Sequence, residues 1–436
     1  MLIEHRDDDV LVHPTGPVHA TIDLPGSKSI TNRYLTCLAL ADGVGTLHGV
    51  SLGDDVLSMI EGLRALEIQV EVLHDGAELR IHGCRGHMPA TSAVIDAGHA
   101  GTAMRFLTAL ACLGKGYYRL DGSPRMRLRP IGKLVGALQQ LGGALGYDGA
   151  EGYPPITMSA CGLRGGRVRF NTPPSSQYIS ALLMVAPYAA RDVLIEIAGN
   201  VTSKPYIDMT IATMRTLGVE VLASEDGDRY VVAATQRYRA ETIRVEPDAS
   251  AASYFWAAAA ITGGLVRVNG LNRRSFQGDV NFVDLLEWMG CRIESDADSL
   301  SIQGPPAGQL QGIDVDLNAM PDTAQTLAVT ALFANGPTTI RNVANLRIKE
   351  TDRLAALESE LRRLGAEVEM TPDSLTIQPP KRIVPATIET YDDHRMAMSF
   401  ALAGLRAEGI RIKDAGCVSK SFPEYFEQLA ELEQNT

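Results

Sequence analysis

Residues 24–41 read LPGSKSITNRYLTCLALA. A Pro-Gly turn leads into two serines that flank Lys28, and then into a run too apolar to lie on a surface. The start of a helix exposes unpaired backbone N–H groups and carries partial positive charge. Serine there caps the helix. A lysine adds like charge, which suits the position only if an anion binds beside it. Either Lys28 is a solvated neighbour of a capped helix, or the turn is an anion site.

The same pattern returns five times. GHAGTAMRFLTALACL, PSSQYISALLMVAP, DASAASYFWAAAAI, MPDTAQTLAVTALFA and YDDHRMAMSFALAGL each run from a small or polar turn into an apolar helix-like segment. Aligned on Lys28, Ala100, Ser176, Ala251, Thr323 and His394, the copies are 72, 76, 75, 72 and 71 residues apart. Short strand-like runs precede them: HATIDL, SAVIDA, RVRFN, TIRVE, DVDLN and ATIETY. A second, amphipathic helix pattern that gives way to alternation follows in five copies, and the sixth ends on PEYFEQLAEL. A period near 70 residues is too long for a solenoid repeat and about the size of a small αβ unit. Three copies make a domain of about 220 residues, in line with the usual upper size of a single core. The first helix of each copy is apolar nearly all round and is expected inside, the second outside. The expected class is α/β: two domains of three repeats, with buried helices within and sheets around them. If the three inner helices of a domain run parallel, their N-termini gather into a concentrated anion site.

The bulk composition fits this picture. Hydrophobic residues make up 45% and charged residues 21% of 436 positions, as in a soluble globular protein. The net charge of −12 argues against non-specific nucleic-acid binding but allows a local basic cluster for a small anion. Six scattered cysteines suggest neither zinc nor a disulfide framework. The first residues, MLIEHRDDDVLVHPTG, lack the apolar core of a signal peptide, and no apolar run of about 18 residues occurs, so a cytoplasmic protein is expected.

Only some turns carry chemistry. The first offers Lys28, Ser29 and Arg33; the second Gly98, Gly101 and Arg105; the third Ser175, Ser176 and Gln177; the fifth Asp322; the sixth Asp393, His394 and Arg395. The fourth, with Asp248 and Ser250, reads as a cap alone. Basic clusters recur between copies: Arg125, Arg127 and Arg129 in SPRMRLRP; Lys204 beside Ser203 and Tyr206 in VTSKPYID; Arg347, Lys349 and Arg353 around Glu350 in NLRIKETDR; and Lys420 in CVSKSFPEYF. Singly, each is a solvated charge or a surface ion pair. Together they point to a ligand with more than one anionic group, bound by charge-assisted hydrogen bonds.

The ordered series LPGSKSITNR, AGTAMR, PRMRLRPIG, SSQYISALLM, VTSKPYID, PDTAQTLAVTALFA, NLRIKETDRL, DDHRMAM and KSFPEYF resembles the 5-enolpyruvylshikimate-3-phosphate (EPSP) synthase family from about residue 22 to 426. The resemblance implies an inside-out fold of two three-repeat domains. Residues 26–243 would form one, and 1–25 with 244–436 the other, with the active site in the cleft between them. It implies transfer of the enolpyruvyl group of phosphoenolpyruvate to the 5-hydroxyl of shikimate 3-phosphate, through a tetrahedral intermediate, with release of phosphate. No cofactor or metal is implied, and the partners are the two small anionic substrates of a monomer. Shikimate 3-phosphate would contact Lys28, Ser29, Arg33, Ser175, Ser176, Gln177, Ser203, Tyr206, Asp322, Asn345 and Lys349. Phosphoenolpyruvate would contact Lys28, Gly101, Arg125, Gln177, Arg353, Arg395 and Lys420. Asp322 would be the base for the 5-hydroxyl, with Glu350 and Lys28 the candidates for proton transfer at the methylene carbon.

Two positions depart from the family pattern Asn-Ala-Gly-Thr-Ala-Met-Arg-Pro: His99 stands for the asparagine and Phe106 for the proline. Weaker binding of glyphosate, the family's inhibitor at the phosphoenolpyruvate site, is the expected consequence. UDP-N-acetylglucosamine enolpyruvyl transferase shares the implied fold and chemistry. It lacks the SSQ and SKPYID blocks and usually carries a cysteine in the loop that here reads SPRMRLRP. A non-catalytic anion binder would have no need of Lys28, Asp322 and Glu350 together.

Overall fold

In a computed structural model, which describes residues 2–432, the six copies become six four-stranded sheets of one design. The second copy shows the pattern. Strand Ser92–Asp96 enters the inner helix Gly101–Ala111, which leads to strand Lys115–Asp121, parallel to the first. An outer helix, Gly132–Gln140, and an antiparallel hairpin, Leu145–Tyr147 with Ile156–Cys161, complete the sheet.

The helices divide by sequence pattern. Gly101–Ala111 buries every residue except Thr102, and Ala249–Thr262 every residue except Ser250, so no polar face is left for water. Arg353–Arg363 instead buries Leu354, Leu357 and Leu361, spaced at three and four, and presents charges on the other side. Its cap is Asp352, whose side chain accepts from the Ala355 N–H at 3.2 Å.

The chain separates into two compact units, Gly26–Val245 and Met1–Pro25 with Glu246–Thr436. In the first, the inner helices Lys28–Leu40, Gly101–Ala111 and Ser176–Val185 touch one another. In the second, Ala249–Thr262, Ala324–Thr330 and His394–Gly404 do the same. Each unit holds three of the six four-stranded sheets.

Two strands pair out of chain order. His19–Ile22 precedes the helix at Lys28 but pairs in parallel with Leu265–Asn269 of the other unit's first sheet. Thr242–Arg244 precedes the helix at Ala249 but pairs with Asp42–His48. The Val245 N–H continues that ladder to the His48 carbonyl at 2.9 Å. The second crossing between units therefore falls after Val245, two residues beyond the expected 243. The N-terminal hairpin Ile3–Arg6 and Asp9–Val12 supplies the two strands that the sixth copy lacks, joining Ile410–Ile412.

Candidate active site

In the unit formed around residues 246–436, the turns before the inner helices converge on one carboxylate. Asp322 lies in the 3₁₀ turn Pro321–Thr323, at the entry to helix Ala324–Thr330. Its Oδ2 meets Arg395 at 2.9 Å, and its Oδ1 meets Arg353 at 3.4 Å and Lys349 at 3.5 Å. Arg395 is the second residue of helix His394–Gly404 and also donates to the Tyr254 hydroxyl at 3.3 Å. Ser253 and Thr326 share a hydrogen bond of 3.1 Å, so the starts of all three inner helices are tied together here.

Arg353 is the hub. It is 1% exposed and holds Asp393 through two bonds of 2.7 and 3.2 Å, Glu350 at 2.8 Å, and Asp322. Burial works against its charge, but Asp393, Glu350 and Asp322 outweigh that and hold the guanidinium firmly protonated. Asp393 is fully buried and caps helix His394–Gly404 by accepting from the Arg395 N–H at 3.0 Å. Glu350 lies between Arg353 and Lys420, the latter at 3.7 Å. Six of the expected residues, Asp322, Lys349, Glu350, Arg353, Arg395 and Lys420, thus form one network of alternating charge. Asn345 is half-buried in the turn Ala344–Ile348, just before Lys349.

In the unit of residues 26–245, Lys28 opens its inner helix and pairs with Asp55 at 2.8 Å. Asp55 is 4% exposed, and its backbone carbonyl accepts from Asn32 at 3.3 Å. Arg33 is 1% exposed, donating to the carbonyls of Ser29 at 2.7 Å and Tyr206 at 3.0 Å and to the Thr210 hydroxyl at 2.7 Å. Burial lowers its proton affinity to a pKa of about 10, which still leaves it charged at neutral pH. Arg33 therefore fastens together two segments, at Ser29 and Tyr206, that both carry expected site residues. Phe106 is fully buried, with its ring centroid 5.5 Å from the Arg33 guanidinium carbon.

The third turn is a true cap: the Ser175 side chain accepts from the Gln177 N–H at 3.3 Å, and Ser176 is 6% exposed. Tyr178 and Arg105 both donate to the Pro130 carbonyl, at 2.6 and 2.8 Å, linking this helix to the loop that carries Arg125. Ser203 stands immediately before helix Lys204–Thr216 at φ 55°, a left-handed conformation that a non-glycine residue adopts only when its surroundings impose it. At Gly101 a Cβ would lie 2.6 Å from an Arg129 nitrogen, so the arginine sits against the helix start because no side chain is there. Arg127 is committed to Asp121 at 2.7 Å. His99 is exposed, with Nδ1 3.4 Å from the Ser123 hydroxyl.

The profile of EPSP synthase (3-phosphoshikimate 1-carboxyvinyltransferase) matches residues 12–429. The chain belongs to this family. It is 47% identical over 416 residues to the 3-phosphoshikimate 1-carboxyvinyltransferase of a Nostoc species, covering 95% of this chain and 97% of the relative. It is 46% identical over 428 residues to that of Aliivibrio salmonicida, covering 98% and 99%. The solved EPSP synthase of Acinetobacter baumannii superposes with a TM-score of 0.81 at 25% identity, covering 97% of this chain and 98% of that one.

Two carboxylates that adjoin the expected residues were not readable as such from the family motifs. Asp55 sits in an unremarkable SLGDDVLSM stretch, and only its contact with Lys28 singles it out. Asp279, in QGDVN, is buried beside the Asp322 cluster and accepts a hydrogen bond from Ser250. Ser250, read from the sequence as part of a cap, is therefore also a hydrogen-bond donor to a buried carboxyl. Asp248 does cap its helix, accepting from the Ala251 N–H at 3.0 Å.

Proposed function

We infer that the chain is a transferase that moves the enolpyruvyl group of phosphoenolpyruvate onto the 5-hydroxyl of shikimate 3-phosphate and releases phosphate. This is a step of the shikimate pathway to the aromatic amino acids. The observation that carries the reading is the Asp322 network: a carboxylate, a second carboxylate at Glu350, and four cations within one cluster. A binder of two anions needs the cations. It has no use for two carboxylates that oppose an anionic ligand.

In this reading Asp322 takes the proton of the 5-hydroxyl as that oxygen attacks C2 of phosphoenolpyruvate. Glu350 or Lys28 delivers a proton to the methylene carbon, which relieves the charge that attack develops. Arg353, Arg395 and Lys420 stabilise the carboxylate and phosphate of phosphoenolpyruvate, together with Arg125, Gly101 and Gln177. Ser175, Ser176, Ser203, Tyr206, Asn345 and Lys349 hold shikimate 3-phosphate, and Arg33 sets the Ser29 and Tyr206 segments. Elimination then breaks the C2–O bond to phosphate: a proton of the new methyl group returns to Glu350 or Lys28, and the proton held by Asp322 leaves with the phosphate. The assay is phosphate release with shikimate 3-phosphate and phosphoenolpyruvate, run beside UDP-N-acetylglucosamine as acceptor. Release with the nucleotide sugar alone would overturn the assignment.

The residues assigned to shikimate 3-phosphate come from both units, so the ligand is expected to draw them together. The radius of gyration measured by small-angle scattering should fall on saturation. An unchanged value, with binding confirmed calorimetrically, would count against a shared ligand.

Glyphosate is expected to bind several-fold more weakly than in family members with asparagine and proline at positions 99 and 106. The cause assigned is His99 at the Gly101 turn and Phe106 beneath Arg33. Phe106 is the sixth residue of its helix, where proline would also remove an i→i−4 bond, so His99→Asn is tested alone as well as with Phe106→Pro. Inhibition constants no lower in either variant would make both substitutions neutral packing.

A further inference from the structure

Helix Ala249–Thr262 is buried on all sides, yet one face near its start is polar. Ser250 and Tyr254 lie four residues apart and so share that face, with Ser253 beside them. Ser250 donates a hydrogen bond to Oδ2 of Asp279. Ser253 meets Thr326, one turn beyond Asp322. Tyr254 meets Arg395, which in turn holds Asp322. The 3₁₀ turn Gly278–Asn281 that carries Asp279 is fastened to the same helix start. Gln277 accepts from the Ala249 N–H at 3.1 Å and donates to the Pro247 carbonyl at 2.8 Å and to Glu246 at 3.1 Å. Asp279 is 4% exposed, and nothing in the reaction as described uses it.

Charged groups that act on Asp279 include Asp322 from the turn Pro321–Thr323, Arg395 from the start of helix His394–Gly404, and Asp248 from the cap of its own supporting helix. Burial is the main influence on its proton affinity, followed by repulsion from Asp322; the Ser250 hydrogen bond and Arg395 favour the charged form. The repulsion is reciprocal. Three cations stabilise the Asp322 anion and so oppose its taking a proton, and a negative Asp279 works the other way.

We propose that Asp279, held by Ser250, is a positioning residue for proton transfer whose negative charge makes Asp322 a sufficiently strong base. The proposal rests on Asp322 being the base. The proton leaves the 5-hydroxyl for the Asp322 carboxylate as the new C–O bond forms, and Asp279 keeps its own charge throughout.

The test is the pH profile of kcat from pH 5 to 9 for the wild type, Asp279→Asn, Ser250→Ala and Asp322→Asn. Burial and repulsion from Asp322 push the Asp279 carboxyl up to about 6, so the wild type should lose turnover below that pH. In Asp279→Asn this acid limb should vanish and kcat at pH 7.5 fall about tenfold, with the KM of shikimate 3-phosphate unchanged. Ser250→Ala removes a bond that favours the charged form, so its limb should move to higher pH and turnover should recover by pH 9. A uniform loss at every pH with the limb in place, in both variants, would make Asp279 merely structural and overturn the proposal, as would an unaltered profile. If Asp322→Asn keeps its turnover, the base assignment fails and this inference with it. If Asp322→Asn is inactive while Asp279→Asn matches the wild type, only the inference fails.

A thermal measurement checks the buried charge independently. The folded state binds the Asp279 proton more tightly than the unfolded state, so stability is lost as pH rises from the unfolded value towards 6. Asp279→Asn should therefore melt a few degrees above the wild type at pH 8 and equally at pH 4 or below. A lower melting temperature at pH 8 would count against a buried carboxylate there.

Discussion

Replacing Arg353 by leucine is expected to lower the unfolding free energy of the unit that contains it by about 3–5 kcal/mol. The guanidinium is 1% exposed and makes bonds to three carboxylates, of which Asp393 is fully buried. Leucine has similar bulk and no donors. It leaves Asp393 with its negative charge in a fully buried position, and breaking a buried pair in this way costs more than the pair itself contributes. Both tryptophans, Trp256 and Trp288, lie in the same unit, so their fluorescence in a urea titration reports its unfolding. The control is Arg292→Leu, which breaks an exposed pair with Glu294 at 3.0 Å and should cost less than about 1 kcal/mol. Equal shifts in the two variants would show that Arg353 is no structural hub.

The second large effect is on catalysis. Asp322→Asn should lower kcat by about 10²–10⁴-fold, the usual contribution of a general base, while leaving the KM of shikimate 3-phosphate nearly unchanged. Asparagine keeps an oxygen that can accept from Arg395, so the local geometry survives. It has no proton affinity to offer the 5-hydroxyl. It also removes one negative charge from among Arg353, Arg395 and Lys349, so an anionic substrate should bind no worse. Turnover within about threefold of the wild type would remove Asp322 from the base role.

Much of the candidate site is legible in the sequence because it sits on the repeat. A small or polar turn that enters an apolar helix can be read without coordinates, and Lys28, Ser175, Ser176, Asp322 and Arg395 all lie in or beside such turns. Asp55 and Asp279 could not be found this way. Each stands just before or at the start of an outer helix, where an acidic residue is ordinary helix-terminal chemistry, and only a neighbour distant in the chain gives it meaning. Arg33 and Phe106 show the same limit. The sequence offers a cation and an aromatic ring 73 positions apart, and their stacking exists only in the folded core.

The sequence by itself determines the number of repeats, the order of helix and strand within each, and which helix is inside. These follow from periodicity and from the cost of exposing an all-apolar helix. Strand pairing was decided by the tertiary structure. Nothing local distinguishes HATI, at residues 19–22, from TIR, at 242–244, as the parallel partner of the next strand in its own copy. In the fold each is exchanged into the other unit's sheet, and the hairpin that completes the sixth sheet comes from the opposite end of the chain. A strand's hydrogen-bonding edge is the same whatever its sequence, so its partner is fixed by which sheet lacks a member and which core its apolar face can join.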